Sequence, residues 1–474
     1  MLKVIQWATG AVGRHAVMAV HSHPELELVG AYTYSEAKAG RDIGEICGIE
    51  RIGVTATSDV EKILALEADC VLYMAIGEIN PHGALDDICM LLESGKNVVS
   101  TAVTALIYPE AMGRKVVERL EAACLKGGTS FHATGIEPGW AAEVLPLTMS
   151  GVLHRIDSLV VQEILDYSTY NNPDVLFDIM GFGKRPDEPV VMEEADALKP
   201  TFAAPLMLVA KGLAARIDDF KYHREIAVTH QDIQVSAGVV RAGTVAAQRF
   251  GYTAIVGGRP ALTVEHITRL RSDLAPQWPS GRGWTVRIKG LPSMVLESRI
   301  GVDGEDEVDQ GTLATAMHAV HAVVPVCAAA SGIRTFLDLP IITGRCILGG
   351  RPLADGEAVY AEMSTSDEAP ATVPVTSAAF EKVVATMRQR VATLDAFGKR
   401  LNFVLDDHVM HIDGTTAPPV VTTVEATADA RISVSVENFS KLLDKRLKPM
   451  FAFMSGKVRI KGEMSAASAL QKIF

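Results

Sequence analysis

Apolar residues in the first third of the chain fall into two alternating patterns. Residues 4–8, 26–32, 70–75 and 97–100 are short apolar runs, with another near 130–133, and they read as buried strands. Between them, residues 14–22, 60–66, 83–94 and 111–126 carry apolar side chains at the three-to-four spacing of a helix. Ser94-Gly95-Lys96-Asn97 reads as a helix stop followed by a strand start. Such alternation predicts a parallel sheet covered by helices on both faces.

The texture changes after residue 155. Residues 156–165, 225–240, 251–256, 261–271, 284–289 and 293–300 predict longer strands, with a helix over 206–216. Residues 311–330 predict a helix that returns to the first domain. No formal charge lies between Thr312 and Ile333, but His318, His321, Pro325 and many alanines mark it as a buried helix rather than a bilayer span. Residues 350–375 are rich in Pro, Gly, Ser, Thr and acids and predict a linker. Beyond it, Phe380, Val383, Val384, Met387, Val391 and Leu394 recur at helical spacing. Leu401/Phe403/Leu405 and Ile432/Val434/Val436 alternate as half-buried strands do. Asn438 is a candidate helix cap, residues 458–460 a strand and 466–474 a short helix.

The resulting fold class is α/β. A Rossmann-type doubly wound parallel sheet occupies residues 1–150 and is completed by about 310–348. A mixed-sheet α+β substrate domain spans 151–309, a linker 349–375, and a separate α+β domain 376–474.

The turn after the first strand carries the first candidate chemistry. Thr9-Gly10-Ala11-Val12-Gly13-Arg14 joins a strand to a helix, the order of a dinucleotide-binding site. Gly10 lets the backbone approach a pyrophosphate, Gly13 lets the helix pack close to the strand, and the helix N-terminus faces the phosphates. Ala8 stands where the first glycine of the usual fingerprint would be. The second strand ends in Tyr32-Thr33-Tyr34-Ser35, without the acid that would hold an NAD ribose. Ser35 with Lys38 or Arg41 offers a 2′-phosphate site instead, which favours NADP over NAD. The alternative is that both cations are solvated. Ala75, Ile76, Gly77, Thr101 and Gly135 lie at the predicted carboxyl ends of the strands, where ligands bind in open α/β sheets.

The length of 474 residues exceeds one hydrophobic core. A net charge of −12 argues against a nucleic-acid partner, which needs a basic face. The six cysteines form no Cys-x-x-Cys pair, as in buried thiols of a reducing cytoplasm. No signal-peptide pattern precedes the first strand. The close histidine pairs are 21/23, 318/321 and 408/411; the second has helical spacing but apolar surroundings with no acid or Cys nearby, and packed or capping histidines are expected rather than a metal site.

Residues 1–345 resemble the dihydrodipicolinate-reductase-like superfamily, in the branch with 2,4-diaminopentanoate dehydrogenase and related amine dehydrogenases. The likeness rests on residues 9–14, Gly135-Ile136-Glu137-Pro138-Gly139-Trp140, Tyr170, Met180-Gly181-Phe182-Gly183 and Asp338-Leu339-Pro340. It implies a nicotinamide dinucleotide, chemistry at C=N bonds, and homodimers or homotetramers. Residues 376–474 resemble a type 2 sterol carrier protein domain, through residues 429–434, Phe439, Leu442-Leu443 and the run 449–463. That implies a lipid or sterol site, for which Phe439, Leu443, Met450, Phe453 and Met454 are candidates. Two departures stand out. Residues 163–170 (Glu-Ile-Leu-Asp-Tyr-Ser-Thr-Tyr) lack the His-His pair and Lys of the reductases, and residues 101–106 (Thr-Ala-Val-Thr-Ala-Leu) lack the glutamate that the resemblance places there in amine dehydrogenases.

Hydride transfer to a carbonyl or imine needs a proton donor. The candidates are Tyr170, Asp166 and Glu163, with Trp140 and Tyr167 as substrate contacts. Three readings follow. The first is a cytoplasmic NAD(P)H-dependent oxidoreductase acting on a bulky, steroid- or lipid-like C=O, C=N or C=C compound. The second is a non-enzymatic lipid-binding protein with a cofactor-sensing domain, and the third an amine dehydrogenase of the 2,4-diaminopentanoate type.

Overall fold

A computed structural model describes residues 1–77, 80–190, 195–302, 304–348, 353, 377–447, 452 and 457–462. The chain divides into two compact units, Met1–Pro352 and Leu353–Phe474. The first unit contains a seven-stranded sheet in the order Gly332–Ile333, Ser130–Ala133, Asn97–Ser100, Cys70–Tyr73, Leu2–Trp7, Leu26–Tyr32, Ala56–Thr57. All its pairings are parallel. The period of two sends Val4, Leu72 and Val99 to one face, against helices Ala11–Ser22 and Glu307–Cys327. Ile5, Trp7, Val71, Tyr73 and Val98 face the other way, onto helices Pro81–Glu93 and Arg114–Gly127. Two of these four helices start at a side-chain cap. Asn80 accepts the Gly83 N–H ahead of Pro81, and Asp306 accepts the N–H groups of Val308 and Asp309.

The second sheet has six strands in the order Met294–Ser298, Gly283–Leu291, Arg155–Asp166, Arg259–Arg269, Val245–Val256, Asp219–Val228. Only Arg155–Asp166 and Arg259–Arg269 run parallel. One face presents Leu159, Val161, Phe250, Tyr252, Leu262 and Val264 to helix Ala195–Gly212. The same alternation carries Glu163 and His266 onto this face, opposite each other in register.

The second unit holds a five-stranded sheet in the order Val420–Thr422, His408–Asp413, Arg400–Leu405, Ala430–Val434, Val458–Gly462. Helices Ser377–Val391 and Val436–Leu443 close its core over Phe403, Met410, Ile432 and Phe439.

Several expectations need correction. The single strand predicted over 225–240 is three: Asp219–Val228, Ile233–Val235 and Gly238–Val240. Thr229 Oγ1 bonds both the N–H and the carbonyl of Gln231 and turns the chain, and Gly238, at φ +150°, makes the hairpin. The helix predicted over 206–216 is Ala195–Gly212, longer at its start despite Pro200 and Pro205. The cap of Val436–Leu443 is Ser435, which accepts the Asn438 N–H, and not Asn438. The two-residue strand Gly332–Ile333 is too short to leave a periodic signal. Most of the predicted linker, and the predicted helix 466–474, lie outside the described residues. No helix among the described residues is long and apolar enough to cross a membrane.

Candidate active site

The first strand ends at Trp7, Ala8 turns with φ +72°, and the helix starts at Ala11 with no side-chain cap at Gly10. Its first-turn N–H groups therefore remain for an external acceptor. A Cβ on Gly13 would lie 2.3 Å from the Ala8 carbonyl oxygen, so close packing of helix on strand requires glycine there. A Cβ on Gly10 would meet nothing within 4 Å. The fold does not explain Gly10, whereas a phosphate drawn against the backbone would.

Beside this turn opens a cavity of about 610 Å³ at the carboxyl ends of the strands. Of the residues anticipated for the cofactor, Thr9, Gly10, Ser35, Lys38, Ala75 and Ile76 line it. Ala11, Val12, Gly13, Arg14, Arg41 and Gly77 do not. Arg14 pairs with Asp309 at 3.0 Å, joining the first-turn helix to Glu307–Cys327. Tyr34, Tyr73 and Asp87, none of them a candidate from the sequence, also line the cavity, and Trp7 and Tyr32 pack against them. Trp7 Nε1 donates to Tyr34 Oη (2.9 Å), and Tyr34 and Tyr73 both donate to Asp87 Oδ2 (2.9 and 3.0 Å). Trp7 stacks on Tyr32 with ring centres 3.9 Å apart. Asp87, the one carboxylate lining this cavity among the described residues, is thus engaged by two phenols.

A second pocket lies at the ends of Asn97–Ser100 and Ser130–Ala133, lined by Thr101, Thr104, Thr134, Gly135, Glu137 and Thr315 among others. Thr101 and Gly135, both anticipated for the cofactor, are here. The turn Gly135–Gly139 is fixed from two sides. Ile136 N donates to Thr315 Oγ1 at 3.3 Å, and Gly139 N, at φ +141°, donates to Glu143 Oε2 at 2.7 Å. This turn delivers Glu137, whose side chain is 2% exposed, with Oε1 4.0 Å from His266 Nε2. His266 Nδ1 is 3.6 Å from Glu163 Oε1. Glu163 thus faces the site, and behind it the ring of Tyr167 lies 5.4 Å from that of Tyr170. Asp166 falls on the other face of its strand and accepts the Ser168 N–H at 2.8 Å, as a turn former does. Trp140 is half-buried at the start of a π-helical turn, Trp140–Val144.

Burial pushes the Glu137 carboxyl above the usual range, with His266 opposing and Glu163 adding to the rise. Burial works against charge on His266, but the carboxylates of Glu163 and Glu137 outweigh it and lift the imidazole. Glu143 is held well above the ordinary carboxyl range, by burial first and then by Glu137. Burial, then Glu163, keeps the Tyr167 phenol protonated.

No glutamate follows Asn97–Ser100 in residues 101–106, and the buried Glu137 stands one strand further on, after Ser130–Ala133. Glu137 lies within Gly135–Gly139, a motif read for its glycines. His266 gave no local signal, because only the parallel pairing of strands a hundred residues apart brings it to Glu163. In the second unit Phe439 and Leu443 are buried core residues, and Phe439 packs edge-on to Phe403. Met450, Phe453 and Met454 lie outside the described residues. His23, Glu25 and Cys346 offer ligand atoms within 4.8 Å of one another, although Glu25 is already engaged by Arg345 at 2.8 Å.

Residues 4–105 match the family of the dihydrodipicolinate reductase N-terminus. Residues 141–351 match the 2,4-diaminopentanoate dehydrogenase C-terminal domain, and residues 376–474 the SCP-2 sterol transfer family. An amine dehydrogenase of Streptomyces virginiae is 33% identical over 348 residues, covering 72% of this chain and 97% of the relative. The chain belongs to the amine dehydrogenase family. A 2,4-diaminopentanoate dehydrogenase of Acetoanaerobium sticklandii is 26% identical over 65% of this chain and 83% of its own length. The fold matches the solved amine dehydrogenase from Mycobacterium smegmatis with a TM-score of 0.59 at 18% identity, over 73% of this chain and 97% of that one. The protein is accordingly an NAD(P)-dependent oxidoreductase that carries a sterol-carrier-type domain. The third reading from the sequence gains over the first, since none of these relatives supports a steroid-like substrate.

Proposed function

We propose that the protein is an NAD(P)-dependent amine dehydrogenase, interconverting a primary amine with a ketone or aldehyde plus ammonia. The observation that carries this is the match to the Streptomyces virginiae amine dehydrogenase along 97% of that enzyme's length. The nicotinamide supplies the hydride acceptor or donor. Thr9, Gly10 and the first turn of Ala11–Ser22 would hold its diphosphate, and Ser35 with Lys38 a 2′-phosphate, which favours NADP. Glu163, Tyr167 and Tyr170 would lie on the substrate side of the nicotinamide. The C-terminal unit would hold an apolar molecule, a role that its match to the SCP-2 sterol transfer family supports.

The test is ammonium-dependent oxidation of NADPH and of NADH with a panel of ketones and aldehydes, together with the reverse reaction on the matching amines. Turnover that requires ammonium supports the reading. Dinucleotide oxidation with a carbonyl compound that ignores ammonium would replace it with a carbonyl reductase.

A further inference from the structure

One oxygen in the second pocket has nothing to bind. Glu137 Oε2 is buried without a hydrogen-bond partner, while Oε1 faces His266. A buried carboxylate oxygen left in this state is costly unless a ligand completes it. The charges nearby say which ligand. Two carboxyl groups, Glu137 and Glu163, flank the single imidazole of His266, so the cluster holds one acidic group more than basic groups and is matched by one monocation. The rest of the lining supplies threonine hydroxyls from Thr101, Thr104, Thr134 and Thr315, rather than a second cation.

We propose that Glu137 binds the ammonium group of the substrate and takes the proton it must lose before oxidation, with His266 and Glu163 as positioning residues that set its charge. This rests on the amine-dehydrogenase reading above and names the residue that serves it. In the oxidative direction an N–H bond of the alkylammonium ion breaks, the proton passes to Glu137 Oε2, and the electron pair stays on nitrogen. That pair forms the C=N bond as the pair of the adjacent C–H bond leaves, with its proton, as hydride for the bound nicotinamide. Water then adds, ammonia leaves, and Glu137 returns its proton to solvent. Overall, the alkylammonium ion, the oxidised dinucleotide and water give the carbonyl compound, an ammonium ion, the reduced dinucleotide and a proton. A carboxyl lifted by burial suits this work, because a base nearer neutral pH is the better acceptor. The other titratable groups around it are Glu143, beneath the turn, Tyr167, beside Glu163, Glu265, behind His266, and His318, which meets Thr134 Oγ1 at 2.6 Å.

The test separates binding from turnover. The full chain, saturated with reduced dinucleotide, is titrated calorimetrically with cyclohexylamine and with its neutral counterpart cyclohexanol. Glu137→Gln is expected to weaken the amine at least about 30-fold, leaving cyclohexanol and the dinucleotide within about threefold. Its turnover number should fall about 100-fold or more, with the acidic limb of the pH profile lost. Glu137→Asp should restore part of both and shift that limb. If thermal melting shows that Glu137→Gln does not fold, Glu163→Gln carries the test, with amine affinity expected to fall about tenfold. Amine oxidation and binding by Glu137→Gln within about threefold of wild type would overturn the proposal and leave the amine-dehydrogenase reading standing. A wild-type protein that neither binds nor oxidises any amine would overturn both.

Discussion

Lys38 Nζ donates to the Thr9 carbonyl at 3.1 Å and to Thr9 Oγ1 at 3.0 Å, tying the segment after the second strand to the turn after the first. The cation therefore stands at the cavity wall beside Ser35, where a 2′-phosphate would lie. Lys38→Ala should weaken NADPH by about tenfold to a hundredfold and NADH by less than about threefold, measured by fluorescence titration. Equal losses for the two dinucleotides would show that Lys38 only braces the turn.

The two glycines of that turn should separate stability from binding. Gly10→Ala places a methyl in open space, so urea unfolding should change by no more than about 1 kcal/mol, while dinucleotide affinity falls at least about tenfold. Gly13→Ala drives a Cβ toward the Ala8 carbonyl and should cost about 1–3 kcal/mol of stability. A Gly10→Ala protein that binds dinucleotide normally would argue against a phosphate at this turn.

His132 sets an acid limit on the fold. It is 1% exposed, its Nδ1 lies 2.7 Å from the Arg334 carbonyl, and burial lowers its pKa to about 4. The unfolded chain takes a proton below about pH 6.5, and the native state resists until about pH 4. Stability from this group is therefore complete above pH 6.5 and declines as pH falls toward 4, by about 2 kcal/mol at pH 5. His318, lowered to about 3 mainly by burial, adds a loss of the same sign. Glu265 is held near 2 by His223, Arg249 and Gln162 against the cost of burial, and its contribution is lost only as pH falls from about 4.3 through 2. Between pH 7.5 and 4.5 the urea midpoint of wild type should therefore fall relative to that of His132→Asn, whereas the raised Glu137, Glu143 and His266 act in the opposite direction in both proteins.

The C-terminal unit has its own core, drawn wholly from residues between Phe380 and Val458. A chain ending at Pro352 should therefore keep its dinucleotide affinity and its turnover number within about twofold, measured on a small water-soluble amine. A larger loss would mean that the second unit contributes to the chemistry.

What was legible in the sequence was what local pattern can carry. Apolar runs such as Val4-Ile5 and Cys70-Val71-Leu72 marked the parallel strands, because a strand buried on both faces has few polar positions. Gly10 and Gly13 marked the turn from the first strand into the first helix, and Gly13 is required there by the close packing of helix on strand. The cluster of Glu137, Glu163 and His266 was legible only at Glu163. Glu137 and His266 join it from a loop and a second strand whose register is set by packing, and an isolated histidine in an alternating strand looks like any core residue. Tyr34 and Asp87 were hidden for the same reason, since their contact joins a strand end to a helix more than fifty residues later.

Strand Gly332–Ile333 pairs with Ser130–Ala133, and helix Glu307–Cys327 covers Val4, Leu72 and Val99. On the ribosome, the nucleotide-binding half of the molecule must therefore wait, one flank uncovered, until some two hundred further codons have been read. Any pause or premature stop in the intervening stretch would leave an oily surface for chaperones to guard.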